Sequence, residues 1–342
     1  MIRPSSISAA EYEAATRGVA LVHRADRVLV RVHGRAPAQM LQGILTQSVS
    51  SPPEGDTGDV RYGALLTPKG RMQSDLKQFW FGPTAEDGVA LDLPKAGLEG
   101  VQETFRRSLP PRFAKVEVED GLALVTVLGP EGAAAVGELL GRDAPAGYLI
   151  HGGGVFAGGL LVSRGLRQPD SWDIWVGPDH LDSVVESLSS AGVHEVSPEA
   201  FEVLRVEGGF PWFGTDMTEE TIPIEAGLEN VAFDHGKGCY TGQEVIVRIL
   251  HRGHVNRHLR FLRMGDFDAR SRGEESGPLE LFTDGREKPV GWVTSVVQSP
   301  RFGETIGLGY VRREVEPPAS VHVGAATGPA VRVLEGPPPP GS

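Results

Sequence analysis

Arg27-Val28-Leu29-Val30-Arg31-Val32-His33 alternates apolar and polar side chains with the two-residue period of a half-buried strand. A helix is expected over Ala36 to Leu45, then a loop marked by Pro52, Pro53 and Gly55. Tyr62 to Leu66 and Met72 to Phe81 read as strands joined by the turn Thr67-Pro68-Lys69-Gly70. Ala90 to Leu93 predicts a third strand, and Leu98 to Leu109 a helix stopped by Pro110-Pro111. Val116 to Glu119 and Leu122 to Leu128 predict a hairpin around Asp120-Gly121. Beyond it come a helix over Glu131 to Leu140, strands at Leu160 to Ser163 and Trp172 to Val176, and a helix over Leu181 to Ser190. This order, repeated nearly twice, fits two split β-α-β units better than a parallel sheet.

After Val255 the pattern changes to short strands punctuated by Gly and Pro, the signature of a small β-barrel. The expected division is therefore 1–254, with two interleaved α+β subdomains, and 255–330, a C-terminal barrel. Residues 331–342, which hold the proline run Pro337 to Pro340, predict a disordered tail.

The tightest motif is Lys237-Gly238-Cys239-Tyr240-Thr241-Gly242-Gln243-Glu244, which holds the chain's single cysteine. Thr241 and Glu244 have capping-box spacing ahead of the apolar Val245-Ile246-Val247, so Thr241 is the expected N-cap of a helix. Cys239 then stands before the positive end of that helix, close to the Lys237 cation, where a thiolate and other anions are favoured. The alternative is that Cys239 is a small buried hydrophobe. Tyr240 has two readings, a ring packed against a ligand or a seal on the core. Arg248 reads either as a ligand-binding cation or as a spacing-four ion pair with Glu244.

Composition narrows the classes. Forty per cent hydrophobic and 23% charged residues are those of a globular chain, and no apolar run is long enough to span a bilayer. One cysteine provides neither a disulfide nor a cysteine-ligated iron–sulfur cluster, so a cytoplasmic location is expected. The formal net charge of −12 argues against direct nucleic-acid binding. One stretch runs against that balance: Arg248, His251, Arg252, His254, Arg257, His258, Arg260 and Arg263 form either a dock for a polyanion such as a polyglutamate tail or a solvated face. Its histidines have no patterned Cys or acidic partner, so no metal site is expected. A G-x-S-x-G elbow is absent, as is a G-x-G-x-x-G loop between strand and helix.

The octapeptide resembles the hallmark of the YgfZ family, folate-binding relatives of the glycine-cleavage aminomethyltransferase, or T-protein. Leu41 to Val49, Leu65 to Met72, Leu204-Arg205-Val206-Glu207-Gly208-Gly209, Ile224 to Leu228, Val290 to Val296 and Ile306 to Val311 resemble further family elements in family order. The resemblance implies an α+β, aminomethyltransferase-like ring of three subdomains, two ferredoxin-like and one barrel, with tetrahydrofolate or a one-carbon derivative in a central channel. It implies Glu207 as the carboxylate holding the pterin and Asp75 as a second acid near the folate, the alternative for Asp75 being a plain exposed strand aspartate. By their own chemistry Trp212, Tyr240, Lys237 and Arg248 are the further candidate cofactor-binding residues, with ordinary core packing as the alternative for Trp212. Cys239, Lys237 and Asp75 are the implied catalytic set. The transferases carry an acidic pair where this chain has Ser74-Asp75. On that departure and the octapeptide, the expected function is a folate-binding accessory protein of one-carbon metabolism. It would support iron–sulfur cluster assembly or repair, with iron–sulfur assembly factors or client enzymes as partners and indirect effects on tRNA modification, and with no useful glycine-cleavage activity. The alternative is an aminomethyltransferase acting on a lipoyl carrier protein.

Overall fold

The computed structural model describes residues 6–167, 169–268 and 278–339. Two antiparallel-rich sheets and a barrel make up the molecule. A five-stranded sheet runs in the order Arg61–Leu66, Met72–Trp80, Val89–Pro94, Arg27–His33, Lys115–Glu119. A seven-stranded sheet runs His194–Glu195, Ala20–His23, Ala123–Leu128, Ser171–Val176, Leu160–Arg164, Tyr148–His151, Thr57–Gly58. The segment that builds most of the first sheet is thus inserted between strands of the second. One apolar core, around Leu29, Leu91, Val101 and Phe105, also takes in Leu124, Tyr148, Leu161 and Trp175 of the seven-stranded sheet, and a second gathers Val127, Val136, Ile174 and Leu188.

The expected hairpin at Asp120-Gly121 does not form. Lys115–Glu119 pairs with Arg27–His33, whereas Ala123–Leu128 pairs with Ala20–His23 and Ser171–Val176. The turn hands the chain from one sheet to the other. Both flanking strands can bury a face this way, which a free two-stranded hairpin could not achieve.

Six strands close the C-terminal barrel, Arg257–Gly265 to Ala330–Leu334, over a core that includes Leu262, Leu281, Val293 and Val331. The barrel therefore runs past the expected end at 330, and residues 331–334 of the expected disordered tail belong to its last strand. Beyond the last strand, the Arg301 guanidinium donates to the Pro338 carbonyl at 2.9 Å. Residues 340–342 of the expected tail lie outside the described residues.

Helix Pro198–Glu207 joins the sheets to the barrel through buried charge. Arg205, 1% exposed, donates to Asp216 at 2.7 Å, to the Phe210 carbonyl at 2.6 Å and to Ser295 of the barrel at 2.8 Å. Asp216 also accepts from Thr294 and Ser295 at 2.5 and 2.7 Å. A buried pair survives only when its remaining donors and acceptors are satisfied, and here the barrel satisfies them. Among the described residues no helix is long and apolar enough to cross a membrane.

Candidate functional site

Asp75 lies on Met72–Trp80, the second strand of the five-stranded sheet. Side chains alternate across a strand, so Ser74 and Asp75 point to opposite faces. Ser74 is fully buried, and its hydroxyl donates to the Asp75 carbonyl at 2.7 Å. It also crowds Gly97, where an added Cβ would come within 2.3 Å of the Ser74 oxygen. The serine is therefore not a vacancy beside Asp75. An acid at position 74 would face away from the Asp75 site.

Asp75 is 4% exposed. Its Oδ2 accepts from the Tyr62 hydroxyl at 2.8 Å, whereas Oδ1 is buried with no hydrogen-bond partner. Burial pushes the Asp75 carboxyl above the usual range, opposed by the Arg27 cation and the Tyr62 hydrogen bond. Tyr62 is itself held well up by burial and by the Asp75 charge. The Arg167 cation acts on the same tyrosine. Arg167 adopts φ 56°, sits 5.5 Å from the Phe210 ring centre, and leaves its Nε buried without a partner. A non-glycine residue in that backbone region is uncommon and marks functional sites more often than others.

An apolar cluster surrounds this group. Tyr62, Met217, Leu228 and Ile246 are buried in it, with Leu166 and Tyr240 packed against them. Leu166 precedes Arg167 and Leu228 precedes Glu229, so the cluster carries both polar residues at its edge. Glu229 Oε2 and Arg260 Nε are further buried atoms without a partner. Arg260, Glu229 and Glu335 all act on His258, whose pKa is lowered, chiefly by burial. Asp75, Arg167, Glu229 and Arg260 thus each present an unpaired buried polar atom. In a folded protein such atoms are few, and each calls for a partner.

Lys237 is anchored to the segment following helix Pro37–Gln42. Its ammonium donates to the carbonyls of Leu45 and Gln47 at 2.6 and 3.3 Å and lies 5.5 Å from the Tyr240 ring centre. Thr46, buried in the same segment, donates to the Ala232 carbonyl at 2.6 Å and accepts from the Ala64 amide at 2.8 Å. Burial lowers the Lys237 pKa to about 8, with Asp234 opposing. A lysine lowered on folding binds fewer protons in the folded state, so its contribution to stability improves as pH rises from about 8 toward the ordinary lysine value near 10.4. Amine-selective labelling read by mass spectrometry should give Lys237 a reactivity midpoint near pH 8. A midpoint near the ordinary lysine value of about 10.4 contradicts this.

The octapeptide is built differently from the expected capping box. Helix Gln243–Arg252 is preceded by Gly242 at φ 84°, without a side-chain cap, and the Thr241 amide donates to the Gly43 carbonyl at 3.1 Å. Thr241 is therefore occupied in docking the loop. Gly242 passes so near the preceding turn that a Cβ would lie 2.5 Å from the Thr67 carbonyl. Gly242→Ala is expected to cost about 1–3 kcal/mol from its backbone conformation, with the clash added. A methyl group at Gly238 would meet nothing within 4 Å, and Gly238→Ala should melt as the parent does. Thermal melts of the two variants check the contrast.

The remaining candidates scatter. Cys239 is exposed. Arg248 is exposed on its helix and, among the described residues, makes no ion pair with Glu244. Trp212 packs edge-on against Phe201 and lies 4.9 Å from the Arg24 guanidinium and 5.1 Å from that of Arg27. Glu207, 3% exposed, accepts from Tyr12 at 2.9 Å on one oxygen and from Ser299 and the Arg301 amide at 2.5 and 3.2 Å on the other. Its protein partners are those of a joint between the N-terminal helix and the barrel. Tyr62, Arg27, Arg167 and Glu229 carry no signal in the sequence. They stand far apart in the chain, and no local pattern announces them.

Comparison with known proteins agrees with this architecture. Residues 4–234 match the GCVT N-terminal domain, and residues 257–337 match the glycine cleavage T-protein C-terminal barrel domain. The aminomethyltransferase of Rubrobacter xylanophilus is 27% identical over 311 residues, covering 90% of this chain and 80% of that protein. That of Saccharopolyspora erythraea is 26% identical over 330 residues, covering 92% and 85%. The crystal structure of glycine cleavage system aminomethyltransferase T from Bartonella henselae superposes with a TM-score of 0.78 at 20% identity, covering 96% of this chain and 88% of that one. The relatives are named aminomethyltransferase, which overturns the expected accessory role in iron–sulfur assembly and tRNA modification. The two grounds for that expectation were Ser74, which faces away from the site, and a loop motif. The chain belongs to the GCVT family, with its N-terminal domain and its C-terminal barrel both present.

Proposed function

We propose that this protein is a tetrahydrofolate-dependent aminomethyltransferase of the glycine-cleavage type, taking an aminomethyl group from the lipoyl arm of a carrier protein. The observation that carries the reading is the free Oδ1 of Asp75, a buried acceptor beside an apolar cluster. A reduced folate fits the residues present. Asp75 would accept from its ring N–H groups, Tyr62, Tyr240 and Phe210 would wall its flat rings, and Arg167 and Arg260 would take its glutamate carboxylates. Bound tetrahydrofolate would supply the nitrogens that receive the one-carbon unit.

The chain's own part is acid–base and electrostatic. Asp75, with its pKa raised by burial, holds a proton more readily than an exposed aspartate and can exchange it at Oδ1, while Tyr62 fixes Oδ2. Arg27 opposes the shift and keeps the ionised form accessible. The apolar walls exclude water and so strengthen each of these interactions. Residues 1–254 form the folate-binding region in this reading, with the barrel as its third wall. The octapeptide that resembles the YgfZ hallmark is a variant of the loop closing the same site, tied down through Lys237.

The test couples two measurements on purified protein, titration with tetrahydrofolate and formation of methylenetetrahydrofolate from an aminomethylated lipoyl carrier. Both are expected to succeed. Folate binding without any product would sink the transferase reading.

A further inference from the structure

The chain keeps a defined path beyond the last barrel strand. Ala330–Leu334 pairs antiparallel with Arg257–Gly265, with Phe261 opposite Leu334, Leu262 opposite Val333 and Arg263 opposite Arg332. Carried one residue further, that register sets Glu335 opposite Arg260, and directly opposed side chains share a face. His258, two residues along the strand from Arg260, is on the same face. Arg260 is half-buried and makes no ion pair among the described residues. Burial works against its charge, and Glu335 supports that charge more strongly than Glu229 does.

The segment after Glu335 lies along the end of helix Pro198–Glu207. Pro337 packs on Gly209, where an added Cβ would come within 2.8 Å of the proline Cδ, and the Arg301 guanidinium donates to the Pro338 carbonyl at 2.9 Å. Next to Gly209 is Phe210, whose ring centre is 5.5 Å from the Arg167 guanidinium. Residues 335–339 thus form a strap leading from Arg260 toward the surroundings of Arg167, the two cations assigned above to the folate's glutamate carboxylates. Glu335 is exposed and makes no ion pair among the described residues, so the strap holds it near Arg260 without locking it there.

The charge around Arg260 disfavours a further anion. Glu229 and Glu335 are two carboxylates to one guanidinium, and the lowered pKa of His258 keeps its ring neutral at ordinary pH. A folate's glutamate tail brings more carboxylates, which Glu335 repels while it stays in place. Glu229 has a buried oxygen and is held within the chain, whereas Glu335 is on a terminal segment and can leave.

We infer that Glu335 is a specificity-determining residue: it stands in for a ligand carboxylate at Arg260 in the free protein, and the glutamate tail of the bound folate displaces it together with the strap. Folates then compete with the protein's own carboxylate, whereas a pterin ligand without glutamate does not. Calorimetric titration of the full-length protein with tetrahydrofolate and with tetrahydropteroate, which lacks the glutamate, tests this. Glu335→Gln, an exposed change, should tighten tetrahydrofolate about threefold, an effect of the size of an exposed ion pair. The same change should leave tetrahydropteroate unmoved, and added salt should shrink the gain for tetrahydrofolate. A glutamate-specific protease, followed by intact mass, should cut after Glu335 faster with tetrahydrofolate bound than with tetrahydropteroate bound. Equal shifts for the two ligands overturn the proposal, as does cleavage that tetrahydrofolate leaves unchanged. A protein that binds neither ligand sinks the folate reading on which this inference rests; tetrahydropteroate binding with no effect of Glu335→Gln on tetrahydrofolate sinks this inference alone.

Discussion

Asp75→Asn is expected to lower the rate of aminomethyl transfer by about 10²–10⁴-fold while leaving the protein at least as stable at neutral pH. Asparagine keeps the shape and still accepts from Tyr62, but it cannot hold and release a proton. Stability moves the other way because of the direction of the shift. The Asp75 pKa is raised on folding, so the ionised group favours the unfolded chain once pH exceeds its ordinary value near 3.9. Its stabilising contribution is complete below that value and is lost as pH rises through the folded-state pKa. The variant should therefore gain on the parent at pH 7, and the difference should vanish toward pH 3. Denaturant melts across this range, run beside the transfer assay, give both readouts. A variant that is inactive and also less stable at pH 7 would assign Asp75 to structure.

The largest loss of stability is expected at Lys77. Only 2% of its side chain is exposed, and it lies between the two sheets, against Asp92 at 3.0 Å, Ser163 at 3.3 Å and Asp173. Burial works against the Asp173 charge, yet the Lys77 and Arg24 cations with the Lys77 and Thr126 hydrogen bonds hold its pKa below the usual carboxylate range. Asp92 is gripped from the other side by Arg27 at 2.5 Å. Lys77→Met fills the space but takes the ammonium from between two buried carboxylates, which costs about 3–5 kcal/mol. The denaturant midpoint should fall at unchanged slope. Adding Asp173→Asn should return about 2 kcal/mol, because the second change removes one of the two buried charges from which the first took the ammonium. Additive losses in the double variant would show that the pair is not coupled.

Much of the architecture is legible along the chain. The period-two runs at Arg27 to His33 and Met72 to Phe81 locate strands of the five-stranded sheet, and the change of punctuation after Val255 locates the barrel. What cannot be read is which strand lies beside which. Asp120-Gly121 has the residues of a hairpin turn, and only the two competing cores decide that its strands part. The same limit hides the site. Asp75 is one aspartate on one strand until Tyr62, Arg27 and Arg167 are folded around it, and its raised pKa belongs to that enclosure and not to its neighbours in sequence. Lys77, Asp92 and Asp173 are silent for the same reason, since three charges in apolar strands read singly as surface. Strand alternation removes the weight that a missing acid at Ser74 carries in the sequence. Glu207 stands out through its motif, whereas its partners Tyr12, Ser299 and Arg301 lie far from it in the chain.

The joint made by Arg205, Asp216 and Ser295 sets a rule for modular exchange. A barrel transplanted from a relative brings its own residues at positions 294, 295 and 299, and the helix ending at Glu207 accepts that graft only if they offer hydroxyls to Asp216 and Glu207. Those three positions, together with 205, 207 and 216, form a compatibility code that travels as a set. Chimeras that respect it should fold, and chimeras that break it should fail at the seam even when each module is sound.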